Sequence, residues 1–112
     1  MTPNQLGYTD VEVAELAALS GVHIVDVRER EEFEGELGHL PRSESVPLSQ
    51  LTARAVWPKD APLLVVCRSG RRSAQAAATL ARAGYRHVLN LRGGLDACVS
   101  AGVARELGPC LS

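Results

Sequence analysis

Aromatic residues are scarce: one Phe, one Trp and two Tyr in 112 residues. A core must therefore be assembled from Ala, Val and Leu. There is no excess of either charge, with 12 Lys+Arg against 13 Asp+Glu. Nucleic acid or an anionic membrane surface would call for a basic surplus, so neither is an expected partner. No apolar run approaches the roughly 20 residues that cross a bilayer. The first residues, Met1-Thr-Pro-Asn-Gln5, lack the basic and apolar regions of a signal peptide, which makes the cytoplasm the expected location. There is no C-x-x-C, and Cys67, Cys98 and Cys110 are an odd number, which excludes a complete disulfide framework. None of His23, His39 and His87 sits at zinc-finger spacing from a cysteine pair, so no metal or other cofactor is expected. In a reducing compartment the three thiols stay free, and only its neighbours can single one out. What is present is ordinary: 46% hydrophobic and 22% charged residues, enough apolar material to offset chain entropy. The length suits one domain over residues 1–112. Nothing in the chain reveals an oligomeric state.

The pattern alternates strands and helices. Thr9 and Glu12 have capping-box spacing and predict a helix over Asp10 to Leu19, stopped at Gly21. Val22 to Val27 is rich in β-branched residues and reads as a strand. Glu29 to Glu34 reads as a short acidic surface helix anchored by Phe33. Gly35, Gly38, Pro41 and Pro47 mark a long surface loop with an extended piece at Ser45-Val46, and Leu48 to Ala55 another short helix. Leu63-Leu-Val-Val66 is continuously apolar, as in a central strand covered on both faces. Ser73 to Ala83 is a helix with one narrow polar stripe of Gln75, Thr79 and Arg82. Its Ala-rich remainder allows close approach to a sheet. Val88 to Leu91 is a further strand, and Leu95 to Ala101 a last helix ended by Gly102. The fold class that follows is α/β, a small parallel-stranded sheet with helices on both faces.

The chemistry concentrates in Cys67-Arg68-Ser69-Gly70-Arg71-Arg72-Ser73, between the buried strand and the buried helix. In open α/β sheets ligands bind at that carboxyl edge. Cys67 ends the strand, where its sulfur can face the loop's concavity. Gly70 permits the tight backbone of an anion cradle. The helix behind it aims unpaired N–H groups and a positive dipole end at the loop, and Arg68, Arg71 and Arg72 add permanent charge. These features favour thiolate over thiol, and the thiolate is the nucleophile. The bland alternative is a small core cysteine beside solvated arginines.

Four blocks carry a resemblance. They are Val25-Asp-Val-Arg-Glu-Arg-Glu-Glu-Phe33; Gly38-His-Leu-Pro41 with Val46-Pro-Leu48; Cys67-Arg-Ser-Gly-Arg-Arg72; and Leu91-Arg-Gly-Gly94. In this order the chain resembles the single-domain rhodaneses, the thiosulfate sulfurtransferase-like family, from about Thr9 to Gly102. The resemblance implies that Cys67 takes a sulfane sulfur from a small anionic donor such as thiosulfate and becomes a persulfide. A thiol, cyanide or a sulfur-acceptor protein then removes it. It further implies that Arg68, Ser69, Gly70, Arg71, Arg72 and Ser73 bind substrate: backbone donors cradle the sulfur, and Arg72 meets the anionic donor. The related cell-division-cycle phosphatases have a loop one residue longer, C-x5-R. Here Arg72 makes C-x4-R, a smaller ring suited to sulfur.

The chain departs from the family pattern at Arg42-Ser43-Glu44, where Gly-Ala is usual, and at Ala97-Cys98, where Ala-Trp is frequent. Competing readings are a regulatory module that only docks a partner, and a phosphatase or arsenate reductase. Cys98 reads as a buried side chain more readily than as a resolving thiol, and Cys110 as an exposed thiol near a frayed end. Asp26 and Arg28 read as a structural ion pair that satisfies loop backbone groups. His39 reads as a turn stabiliser rather than a base, and the Glu29–Glu36 cluster as a solvated acidic helix.

Overall fold

The run Leu63–Val66 forms a strand with all four residues buried. Its side chains alternate between two apolar clusters, Leu63 and Val65 in one, Leu64 and Val66 in the other. That alternation requires a cover on each side of the sheet. The computed structural model describes residues 1–108. In chain order the strands are β1 (Thr2–Pro3), β2 (Thr9–Val11), β3 (His23–Asp26), β4 (Ser43–Ser45), β5 (Leu63–Val66) and β6 (Val88–Leu91). They make one six-stranded sheet in the order β1-β2-β6-β5-β3-β4. Only β1 runs antiparallel to its neighbour.

The helices are α1 (Arg30–Phe33), α2 (Leu51–Arg54), α3 (Arg71–Arg82) and α4 (Gly94–Ala101). Ala76, Ala77 and Leu80 of α3, with Leu51 of α2, cover the Leu63/Val65 face. Leu95 and Cys98 of α4, with Val13 and Leu16 of a 3-10 turn over Val13–Ala18, cover the other. The small side chains of α3 bring its backbone close to β5 and β6, as the Ala-rich stretch predicted. The expected α/β class, with a mostly parallel sheet and helices on both faces, is the observed one. Among the described residues no helix is long and apolar enough to cross a membrane.

Three expectations are corrected. The helix predicted over Asp10 to Leu19 is instead β2 followed by the 3-10 turn. Val11 is fully buried in the sheet, and pairing with β6 overrides local propensity. The capping box is real but sits three residues later. Glu12 caps the turn and its N–H donates to Glu15 Oε1 at 2.8 Å. The stretch 35–47 is not a surface loop throughout. Ser43–Ser45 pairs with β3, two residues ahead of the predicted extended piece, and His39, Leu40 and Val46 are buried. Buried backbone needs partners, and Arg28 supplies them. Its guanidinium donates to the Gly38 carbonyl at 2.8 Å and to the Glu32 carbonyl at 3.2 Å. The helix predicted from Ser73 begins two residues earlier, at Arg71.

Candidate active site

Strand β5 ends by delivering Cys67 to the sheet's carboxyl edge, and Gly70, at φ +97°, turns the chain into α3. This left-handed conformation strains any residue with a Cβ. A Cβ at Gly70 would also lie 3.0 Å from the Gly93 nitrogen. The turn brings two backbone N–H groups onto the Cys67 sulfur, Gly70 at 3.0 Å and Ser73 at 3.3 Å. Cys67 has no exposed surface, yet its Sγ faces the loop amides rather than hydrocarbon alone. Two fixed dipoles aimed at one sulfur stabilise negative charge there.

The loop is held from behind by the Leu91-Arg-Gly-Gly94 turn. The first amides of α4 donate to it, Leu95 N to the Cys67 carbonyl and Asp96 N to the Arg68 carbonyl, each at 2.9 Å. Gly94 allows this approach. At φ +56°, a Cβ there would collide with both carbonyls. The fourth block thus acts as a brace for the third.

A buried polar chain leads away from the sulfur. Sγ lies 3.3 Å from Ser73 Oγ. The Ser73 hydroxyl donates to Asn90 Oδ1 at 2.6 Å, and Asn90 Nδ2 donates to Asp10 Oδ1 at 2.9 Å. Arg92 closes the chain on Asp10 Oδ2 at 3.2 Å. Asp10 offers acceptors only, which fixes the amide so that Oδ1 faces Ser73. Sequence reasoning gave neither Asn90 nor Asp10 a role. A polar residue at the third position of the apolar strand Val88–Leu91 was the signal available.

The loop arginines are less free than expected. Arg72 forms a two-pronged ion pair with Glu32, at 2.6 and 2.9 Å. The Arg72 guanidinium, by donating these hydrogen bonds, holds the Glu32 carboxyl below the usual carboxylate range, and Glu32 raises Arg72 in turn. Glu32 Oε1 also accepts the Glu29 N–H at 3.1 Å. The expectation of a merely solvated acidic helix is therefore corrected at Glu32, whose partner lies 40 residues away. Arg68 Nε reaches Asp96 at 3.3 Å. Arg71 is exposed, and no described residue pairs with it. Ser69 is exposed and Ser73 fully buried.

Asp26 and Arg28 form the expected ion pair, 2.8 Å apart and each 1% exposed. His39 is buried and stacked on Phe33, with ring centroids 3.8 Å apart. Its Nδ1 contacts the Phe33 carbonyl at 2.9 Å and so must carry the proton. Cys98 is fully buried in the cluster across the sheet from Cys67, and burial pushes its thiol up. That placement leaves it no path to Cys67 as a resolving thiol. Cys110 lies outside the described residues.

The rhodanese-like domain family matches residues 9–101. A sulfurtransferase of Allochromatium vinosum is 39% identical over 89 residues, 79% of this chain and 81% of that protein. The thiosulfate sulfurtransferase GlpE of Pseudomonas paraeruginosa is 35% identical, with 69% of each chain covered. Some relatives are longer: the chain spans 56% and 40% of two Bacillus subtilis proteins. Among solved structures, a rhodanese-related protein of Thermoplasma volcanium superposes with a TM-score of 0.77 at 27% identity, covering 87% of this chain and 96% of that one. The chain belongs to the rhodanese-like domain family.

Proposed function

We propose that the protein is a sulfurtransferase that carries a sulfane sulfur on Cys67, loaded from a small anionic donor such as thiosulfate. The observation that carries this reading is the pair of amides, Gly70 N and Ser73 N, at 3.0 and 3.3 Å from the sulfur. They stabilise the thiolate that attacks and the anionic persulfide that results. The Cys67 thiolate forms a bond to the outer sulfur of thiosulfate. The donor's S–S bond breaks, and sulfite leaves with the electron pair. An acceptor nucleophile then bonds to the outer sulfur of the persulfide, and Cys67 leaves as thiolate. Cyanide would give thiocyanate; a small thiol or a sulfur-acceptor protein would give a new persulfide. No redox cofactor enters either step, because the sulfur moves between nucleophiles. Arg68, Ser69, Gly70, Arg71, Arg72 and Ser73 form the wall the donor meets. A reducing cytoplasm would keep Cys67 free for this cycle.

Relatives named as sulfurtransferases and the C-x4-R loop length support this over phosphate chemistry. The test is to incubate the protein with thiosulfate, without reductant, and weigh it. One added sulfur atom is expected in the wild type and none in Cys67→Ser. Thiocyanate should then form on adding cyanide. A wild type that gains no mass would favour a docking module, and Cys67-dependent hydrolysis of an aryl phosphate would favour a phosphatase.

A further inference from the structure

Two of the loop's three guanidinium groups are already paired. Arg72 spends both terminal nitrogens on Glu32, and Arg68 faces Asp96. Beside the loop lies a cleft of about 260 Å3 lined by Arg28, Glu32, Gly35, Glu36, Leu37 and Arg68. Arg28 is neutralised within it by Asp26, while Glu36 has no partner among the described residues. Over the cleft residues, their pairing partners and Arg71, the one loop cation that no described residue engages, four cations face four carboxylates. A small dianion approaching Cys67 therefore meets no surplus of positive charge. To bind Arg72 through its fork of donors, it must first displace a carboxylate that fits the fork already.

The geometry points to Glu32 as a specificity determinant that holds Arg72 away from incoming donors. It disfavours inorganic dianions and favours persulfidic thiols that carry little or no negative charge. This rests on the sulfur-transfer reading and refines its donor class. With such a donor, the Cys67 thiolate bonds to the outer sulfur of R–S–SH. The donor's S–S bond breaks, and the thiolate R–S⁻ leaves with the electron pair. No guanidinium is needed to hold a sulfonate group in that step.

The experiment compares thiosulfate with cysteamine persulfide as donors for wild type and Glu32→Gln. Gln keeps an oxygen to accept the Glu29 N–H, so the cap of α1 is retained. Freeing a half-exposed bidentate guanidinium, worth about a factor of five in equilibrium terms, should raise kcat/KM for thiosulfate about fivefold, through KM. Use of cysteamine persulfide should change less than about twofold by the same reasoning. Arg72→Ala in the Glu32→Gln background should erase the gain. Should Glu32→Gln fold poorly, Glu32→Asp, too short to hold both nitrogens, gives a smaller gain in the same direction. If both donors load Cys67 and their ratio is unmoved by these changes, this inference alone fails. If neither donor loads Cys67, the sulfur-transfer reading fails and takes this one with it.

Discussion

Removing the Ser73 hydroxyl tests the buried chain behind the nucleophile. In Ser73→Ala the backbone amide that reaches Cys67 Sγ at 3.3 Å remains, but the hydroxyl's 2.6 Å bond to Asn90 Oδ1 is lost. Asn90 is 3% exposed, so water cannot readily replace the donor. An orphaned buried acceptor costs about 1–3 kcal/mol. Asn90 cannot turn its amide to recover, because Nδ2 is committed to Asp10 at 2.9 Å. Denaturant unfolding should therefore show a loss of about 2 kcal/mol in Ser73→Ala. Replacing both partners, Ser73→Ala with Asn90→Leu, should recover part of it, because neither polar group is then left over. Loading of Cys67 should change by less than about twofold, because the hydroxyl donates to Asn90 and the amides on the sulfur remain, while Cys67→Ser abolishes it. A Ser73→Ala protein within about 0.5 kcal/mol of wild type, or a double variant whose loss equals the sum of the single losses, would refute the chain as a coupled unit.

Removing Arg28 takes the counter-charge from the buried Asp26 carboxylate and the side-chain donor from the buried Gly38 carbonyl. Arg28→Met should cost about 3–5 kcal/mol by thermal or urea unfolding, and a cost below about 1 kcal/mol would contradict that account. Gly94→Ala should weaken the brace behind the loop. The collision with the Cys67 and Arg68 carbonyls should appear as faster hydrogen exchange at Leu95 and Asp96 and slower sulfur loading. Because Arg72 holds the Glu32 carboxyl low, its contribution to stability is fully present above the unfolded glutamate range, about pH 4.3. It is lost as pH falls through the lower folded value. Glu32→Gln should therefore flatten the acid limb of a stability–pH curve; an unchanged limb would mean the pair contributes nothing. Cys98, buried and with its thiol pushed up, should resist alkylation at neutral pH in the folded protein. Cys98→Ser should destabilise by about 1–3 kcal/mol through its buried hydroxyl.

The parts of the fold legible in the sequence were those whose signal is local and long. Leu63–Val66, the Ala-rich helix after it and Val88–Leu91 announce themselves by unbroken apolarity and small-residue packing. Strands β1, β2 and β4 have two or three residues each, too short to set a period. At β2 the Thr9-x-x-Glu12 spacing imitated a cap that belongs to Glu12 and Glu15. The site divides in the same way. Cys67, Gly70 and Ser73 are contiguous, and their geometry follows from one strand–turn–helix unit. Glu32 reaches Arg72 across 40 residues, and Asn90 reaches Asp10 across 80. Those contacts exist only once the sheet has ordered its strands, so no local spacing encodes them.

That division also says where the site's charge stabilisation originates. On the loop sequence alone, three arginines look like the dominant source. In the folded protein two of them face carboxylates, while the groups aimed at the sulfur are main-chain amides. Amide dipoles fixed by Gly70 and braced through Gly94 cannot relax toward other partners as a long side chain can. They therefore stabilise charge on sulfur without reorganising during the reaction. They are also set by backbone path rather than residue type. In this arrangement the glycines of the loop and of the turn behind it bear more directly on Cys67 than the arginines do.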